Sequence, residues 1–304
     1  GGTAGAVNVG IFNPATTSFS SAACTNVPTS AFSGGCLLPD GRIIFAPFAT
    51  SNIGAFNPAT STYSNIASIT TGSTSAYAGA VVLPNGNVFF VPYGASNYGI
   101  YNTTTYTFTS TAITTGSTQA YVGATLAPDG NVYMCPYGTG TVVNIGIYNS
   151  STSTYSSVNI NTFGLPSGAF RSALYIPDGR ILFAPYNSSN VGSFNTATQT
   201  YSNATTIGIA TAAAQVGQVL LPDGRVLFAP SSSTRLTIFN PTTNSMTSIT
   251  GNVNPAGSGA YAAGSLCIDG RVIFAPYAAA TVGIVSGTIP APRELCIHPI
   301  FNKY

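Results

Sequence analysis

The sequence predicts an all-β fold, a β-propeller of four-stranded blades, and three observations predict it. A ten-residue phrase, LPDGRIIFAP at 38–47, returns in near-copy at 83–92, 127–136, 176–185, 221–230 and 267–276. A second phrase, NVGIFNPATTSFS at 8–20, alternates with the first along the chain. The period is in the forties: Gly41, Gly86, Gly130, Gly179, Gly224 and Gly270 stand 45, 44, 49, 45 and 46 residues apart. Repeats of that length mark propeller blades or solenoid arrays, and no helical periodicity of apolar residues accompanies them.

The content of each repeat selects the propeller. The first phrase is an apolar run, then Asp-Gly or Asn-Gly, then a β-branched and aromatic run closed by proline. Asn-Gly and Asp-Gly favour tight hairpins of type I′ geometry, so the phrase reads as strand A turning into strand B. The second phrase recurs as NIGAFNPATSTYS (52–64), NYGIYNTTTYTFT (97–109), NIGIYNSSTSTYS (144–156), NVGSFNTATQTYS (190–202) and RLTIFNPTTNSMT (235–247). It reads as a short strand C, an Asn-led turn and an alternating strand D. Four antiparallel strands per period, six times over, make a propeller.

The pattern resembles the kelch repeat on particular residues. Gly41-Arg42 to Phe45 stand where that family has its glycine-arginine-apolar-aromatic run, and Phe56-Asn57-Pro58 to Tyr63 stand where it has aromatic-Asn-Pro to aromatic. Two departures mark the chain as divergent. Ala-Pro-aromatic replaces the kelch glycine doublet, and Tyr, Phe or Met replaces the strand D tryptophan in a chain that has no Trp. The resemblance implies a kelch-like propeller and carries over little activity, because fold does not imply function.

The two ends of the chain bear on blade number. A lone C–D pair opens the chain at 7–21, and the last A–B hairpin, at 261–276, leads into TVGIVSG without the aromatic-Asn turn. Residues 1–22 are therefore expected to close the ring as a strand pair, residues 23–286 to form the blades, and residues 287–304 to form a tail, all in one domain. Six blades are favoured and seven are the alternative. Both ends carry a candidate strand C, at 8–12 and 281–285, so one is surplus. The surplus strand or the tail could add to the sheet of a neighbouring subunit.

Composition narrows the function. Hydrophobic residues make up 44% of the 304, and no apolar run is long enough to span a bilayer. Charged residues are only 5%, against about 25% in typical soluble domains. A net charge of +2 without a Lys/Arg cluster excludes nucleic acid as a partner. Surface polarity must come from Ser, Thr, Asn and Gly, a character of secreted, cell-surface and virion proteins. The start at Gly1 reads as a mature or processed chain.

Chemistry has few residues to use. Asp40, Asp129, Asp178, Asp223 and Asp269 sit in A–B turns, where Asp is a turn former, and Arg42, Arg180, Arg225 and Arg271 follow the turn glycines. These aspartates are expected to serve structure, with Asp/Arg contacts along one edge of each blade. The only histidine, His298, lies in ELCIHPIFNKY, and no G-x-S-x-G elbow accompanies it. No catalytic, metal or cofactor site is expected. Cys24 with Cys36, and Cys267 with Cys296, are candidate disulfides in an oxidising compartment, and Cys135 is expected to be an inert core thiol. Asn102, Asn149, Asn187 and Asn203 head N-x-Ser/Thr sequons and are candidate glycosylation sites. The residues after strand B (Phe48, Tyr93, Tyr137, Tyr186 and Tyr277, with Ser231 breaking the set) could stack on sugars. The expected function is a non-catalytic, self-associating extracellular module of a surface filament, cell-surface layer or virion fibre. The alternative is a propeller that binds glycans or a cell-surface receptor.

Overall fold

The structure, a computed structural model, describes residues 8–25, 27–28, 30–69, 75–115, 119–138, 143–207, 215–250 and 259–286. It is a six-bladed propeller, and the described residues are all-β apart from one 3-10 turn at Asn161–Phe163. A hairpin of β1 (Asn8–Asn13) and β2 (Ser18–Ala23) comes first. The first blade is β3 (Phe32–Leu37), β4 (Ile43–Pro47), β5 (Asn52–Asn57) and β6 (Thr62–Ser68). The second is β7 (Tyr77–Val82), β8 (Val88–Pro92), β9 (Asn97–Asn102) and β10 (Thr107–Ala112), and the third is β11 (Tyr121–Leu126), β12 (Asn131–Pro136), β13 (Asn144–Asn149) and β14 (Thr154–Asn159). The fourth is β15 (Phe170–Tyr175), β16 (Arg180–Pro185), β17 (Asn190–Asn195) and β18 (Thr200–Thr206). The fifth is β19 (Gln215–Leu220), β20 (Val226–Pro230), β21 (Arg235–Asn240) and β22 (Ser245–Thr250). The sixth has three described strands, β23 (Tyr261–Leu266), β24 (Val272–Pro276) and β25 (Gly283–Val285). Each blade is an antiparallel meander in chain order.

Strand B is the centre of each sheet and its most apolar member. In β8 and β20 every residue is buried, because the strand has a neighbour on both edges and a packed layer on both faces. Strand D is mostly exposed, as its alternating Ser/Thr pattern requires. The repeated strand C aromatics Phe56, Tyr101, Tyr148, Phe194 and Phe239 are all in the core.

The chain divides into two compact units. One holds β1 to β11 with parts of the third blade, and the other holds the remainder. Within the first, strand A of one blade lies against strand A of the next, and glycine permits the approach. A Cβ on Gly34 would stand 3.2 Å from the Cα of Gly79, and one on Gly79 would stand 3.0 Å from that of Gly123. Within the second unit, β15 packs beside β19, and β19 beside β23.

The A–B turns depart from type I′. Gly41 has φ +87 while Asp40 and Pro39 keep negative φ, and the Gly41 N–H donates to the Leu38 carbonyl. This is a type I turn followed by a left-handed glycine. Pro39 suits the second place of a type I turn, where its ring sets the negative φ, and Ile268 keeps the same geometry in the sixth blade.

In the sixth blade β24 takes β25 as its third strand. The candidate strand C at 281–285 is thus used within its own repeat, and β1 pairs with β2 in a sheet of two. The candidate disulfide Cys24–Cys36 is not formed, and both are free thiols. Cys24 follows the N-terminal hairpin, whereas Cys36 faces the apolar cluster between the first two blades. Cys267 is also free. Cys296, His298 and the tail at 287–304 lie outside the described residues.

Candidate functional site

An antiparallel meander puts the A–B and C–D turns at one end of a blade and the B–C and D–A connections at the other. The turn end carries the charge. Asp40 accepts the Arg42 N–H on Oδ1 and the Arg42 Nε on Oδ2, with an Arg42 Nη2 contact of 2.7 Å. The same fork recurs at Asp178/Arg180, Asp223/Arg225 and Asp269/Arg271, each with a contact of 2.6 Å. Asn85 repeats the backbone half of it by accepting the Asn87 N–H.

The hydrogen bonds from Arg42 and Arg271 hold the carboxyls of Asp40 and Asp269 below their ordinary range. Burial pushes Asp223 up, but its bonds to Arg225 outweigh this and leave it lowered. Arg180 also reaches the next C–D turn, donating to Asn244 Oδ1 and to the Pro241 carbonyl at 2.8 Å each. These four carboxylates are thus bonded as turn formers. Among the described residues no group of three His, Cys, Asp or Glu could hold a metal ion.

The sequon asparagines are also structural. Asn102 and Asn149 each accept two backbone N–H groups of their own C–D turn on Oδ1. Asn203 accepts the Tyr201 hydroxyl. The amide nitrogen of Asn187, the atom a glycan would occupy, donates to the Ser167 carbonyl at 2.9 Å. Cys135 takes the buried place that Ala46, Ala184 and Ala229 take in other blades, and burial pushes its thiol well up.

The opposite end carries rings in place of charge. Phe48, Tyr93, Tyr186 and Tyr277 each donate their N–H to the alanine before strand A of their own blade, which anchors the residue as the chain leaves strand B. In the first unit Phe48 and Tyr93 lie 5.6 Å apart between centroids. In the second, Arg171 lies over the Tyr186 ring, its Cζ 4.8 Å from the centroid. A Cβ on Gly168 would stand 3.0 Å from the Asn187 amide nitrogen and 3.2 Å from the Tyr137 ring. Arg171, Tyr186, Asn187, Ser167 and Tyr137 thus present a cation, two rings and amide and hydroxyl groups without a carboxylate. Such a set can stack on and hydrogen-bond a neutral or anionic group.

Arg171 is the residue that sequence reasoning passed over. Its signal was available: it is the one charged residue on a described strand A. A second overlooked feature is Gln215, which stands where strand A elsewhere begins with Phe or Tyr.

No known family profile matches the chain, and no curated protein matches it in sequence. Solved structures match it in fold. Virginiamycin B lyase from Staphylococcus aureus superposes with a TM-score of 0.70 at 14% identity, over 86% of this chain and 83% of the lyase. Hydrazine synthase of Kuenenia stuttgartiensis matches with 0.71 at 12% identity, over 93% of this chain and 90% of the other. A chain of a nidogen/laminin complex matches with 0.56 at 10% identity, over 76% and 84%. These likenesses show a propeller and extend to enzymes and to a member of a protein complex; the kelch resemblance rests on the sequence phrases.

Proposed function

We propose that the chain is a non-catalytic, self-associating module that works outside the cell, as a subunit of a surface filament, cell-surface layer or virion fibre. The observation that carries the reading is the uniformity of the C–D turns. All six pair two hydroxyls across one intervening residue: Thr16 with Ser18, Thr60 with Thr62, Thr105 with Thr107, Thr152 with Thr154, Thr198 with Thr200 and Thr243 with Ser245, at 2.7 or 2.8 Å. An edge that repeats neutral hydroxyl pairs can meet another copy without stripping water from charges. A net charge of +2 also leaves little repulsion between copies. In this reading residues 1–22 close the ring beside the sixth blade, of which three strands are described, and the tail contacts neighbours.

Light scattering with electron microscopy of the purified chain tests the proposal. Polymers or ordered layers that grow with concentration are expected. A monomer at every concentration would overturn it. The second reading, a propeller that binds glycans or a cell-surface receptor, is favoured by the Arg171–Tyr186 stack, and retention of that monomer on a glycan array would support it. The lyase and synthase activities named above belong to those proteins, and the turn aspartates offer no free carboxylate pair to support a similar reading here.

A further inference from the structure

Five blades share one contact inside the sheet. Strand A begins with Phe32, Tyr77, Tyr121, Phe170 or Tyr261, and the ring lies on the strand C glycine of the same blade. A Cβ on Gly54, Gly99, Gly146, Gly192 or Gly283 would stand 2.6, 3.1, 2.7, 2.8 or 2.9 Å from the Cζ of that ring. Where the ring is tyrosine its hydroxyl can find a partner within the blade: Tyr77 donates to Asn97 Oδ1, and Tyr121 bonds Tyr155.

The fifth blade changes every member of this contact together. Gln215 replaces the ring, Thr237 replaces the glycine, and Met246 stands where strand D elsewhere has Tyr63, Phe108, Tyr155 or Tyr201. Gln215 and Thr237 are both 0% exposed, yet Gln215 Nε2, Gln215 Oε1 and Thr237 Oγ1 have no hydrogen-bond partner among the described residues. Gln215 faces Pro230 across the sheet, which has no N–H to offer it.

Buried amides and hydroxyls are nearly always bonded, because a dry one keeps its full desolvation cost. We infer that the fifth blade encloses a resident water molecule at the Gln215–Thr237 position. The chemistry of the three atoms selects that guest. Nε2 can only donate, Oε1 can only accept, and Oγ1 can do either. Water matches all three at once, and two to four polar partners are what a buried water requires. Met246, on the strand beside Thr237, has fewer side-chain atoms than the Tyr63, Tyr155 or Tyr201 that stands there in other blades. The water then does for this blade what the tyrosine hydroxyls do for the second and third.

A crystal structure at high resolution tests the assignment directly. The expected result is a water within about 3.2 Å of at least two of the three atoms. An empty site, or Gln215 bonded straight to Thr237, would overturn it. Thr237→Val gives an independent sign test, since valine keeps the shape and removes only the hydroxyl. A hydrated site predicts a melting temperature lower by about 2–4 °C. An unchanged or higher value means that the hydroxyl was dry, and the inference fails.

Discussion

Thiol and phenol groups differ in this chain mainly by how much water reaches them. Burial pushes the Cys36 thiol up to about 12, and pushes Cys135 well up, while Cys24 and Cys267 are raised from less enclosed positions. Because the thiolate is the reacting species, iodoacetamide at pH 8 should label Cys24 and Cys267 first and leave Cys36 and Cys135 unlabelled until the chain unfolds. Peptide mapping after timed quenching checks this, and early labelling of Cys36 would contradict its place in the core. The same groups set the pH limits. Asp40 and Asp269 are lowered by their arginines, so their stabilisation is present above the ordinary carboxylate value and is lost as pH falls through the lowered one. Cys36 and Tyr63 are each raised to about 12 by burial, so their stabilisation is complete below about pH 9 and is lost as pH rises toward 12. Melting followed by circular dichroism should therefore be flat between about pH 4 and 9 and fall outside that window.

At the scale of the strand, the ring-on-glycine contact is the most easily damaged. A methyl group on Gly192 would meet the Phe170 ring at 2.8 Å and the Phe183 ring at 3.1 Å, and both rings are fully buried. Gly192→Ala should cost about 1–3 kcal/mol, read from the midpoint of urea unfolding. An unchanged midpoint would show that the rings can move aside. This contact also marks where the sequence stopped being legible. Asp-Gly, Asn-Pro and the apolar strand B runs are local signals, so the hairpins, the blade order and the role of the turn aspartates could all be read from neighbouring residues. The pairing of Tyr77 with Gly99 spans half a repeat and joins first to third strand, and neither residue is unusual alone. The Arg171–Tyr186 stack and the three changes at Gln215, Thr237 and Met246 were hidden for the same reason. Cys24 and Cys36 misled in the opposite direction, since twelve residues of separation says nothing about which face of a strand a thiol takes.

For the molecule as a whole, the scarcity of charge is the governing property. The four Asp/Arg pairs of the described turns are partly exposed, and ion pairs in such positions contribute little to stability. Melting temperature should accordingly change by no more than a degree or two between 0.05 and 1 M sodium chloride, roughly the size of a screened surface pair. A large drop would reveal an ion-pair network carrying the fold.

Repetition itself creates a hazard, because strands with nearly the same wording can pair with the wrong partner while the chain folds. The fifth blade differs from the others at the two positions that such an error would bring together. A strand A from any other repeat, offered to β21, would drive an aromatic ring into the side chain of Thr237. β19, offered to the glycine of another blade, would leave a buried amide over a gap. Gln215 and Thr237 therefore set the fifth repeat apart from its look-alikes at the two places where the first strand of a blade meets the third.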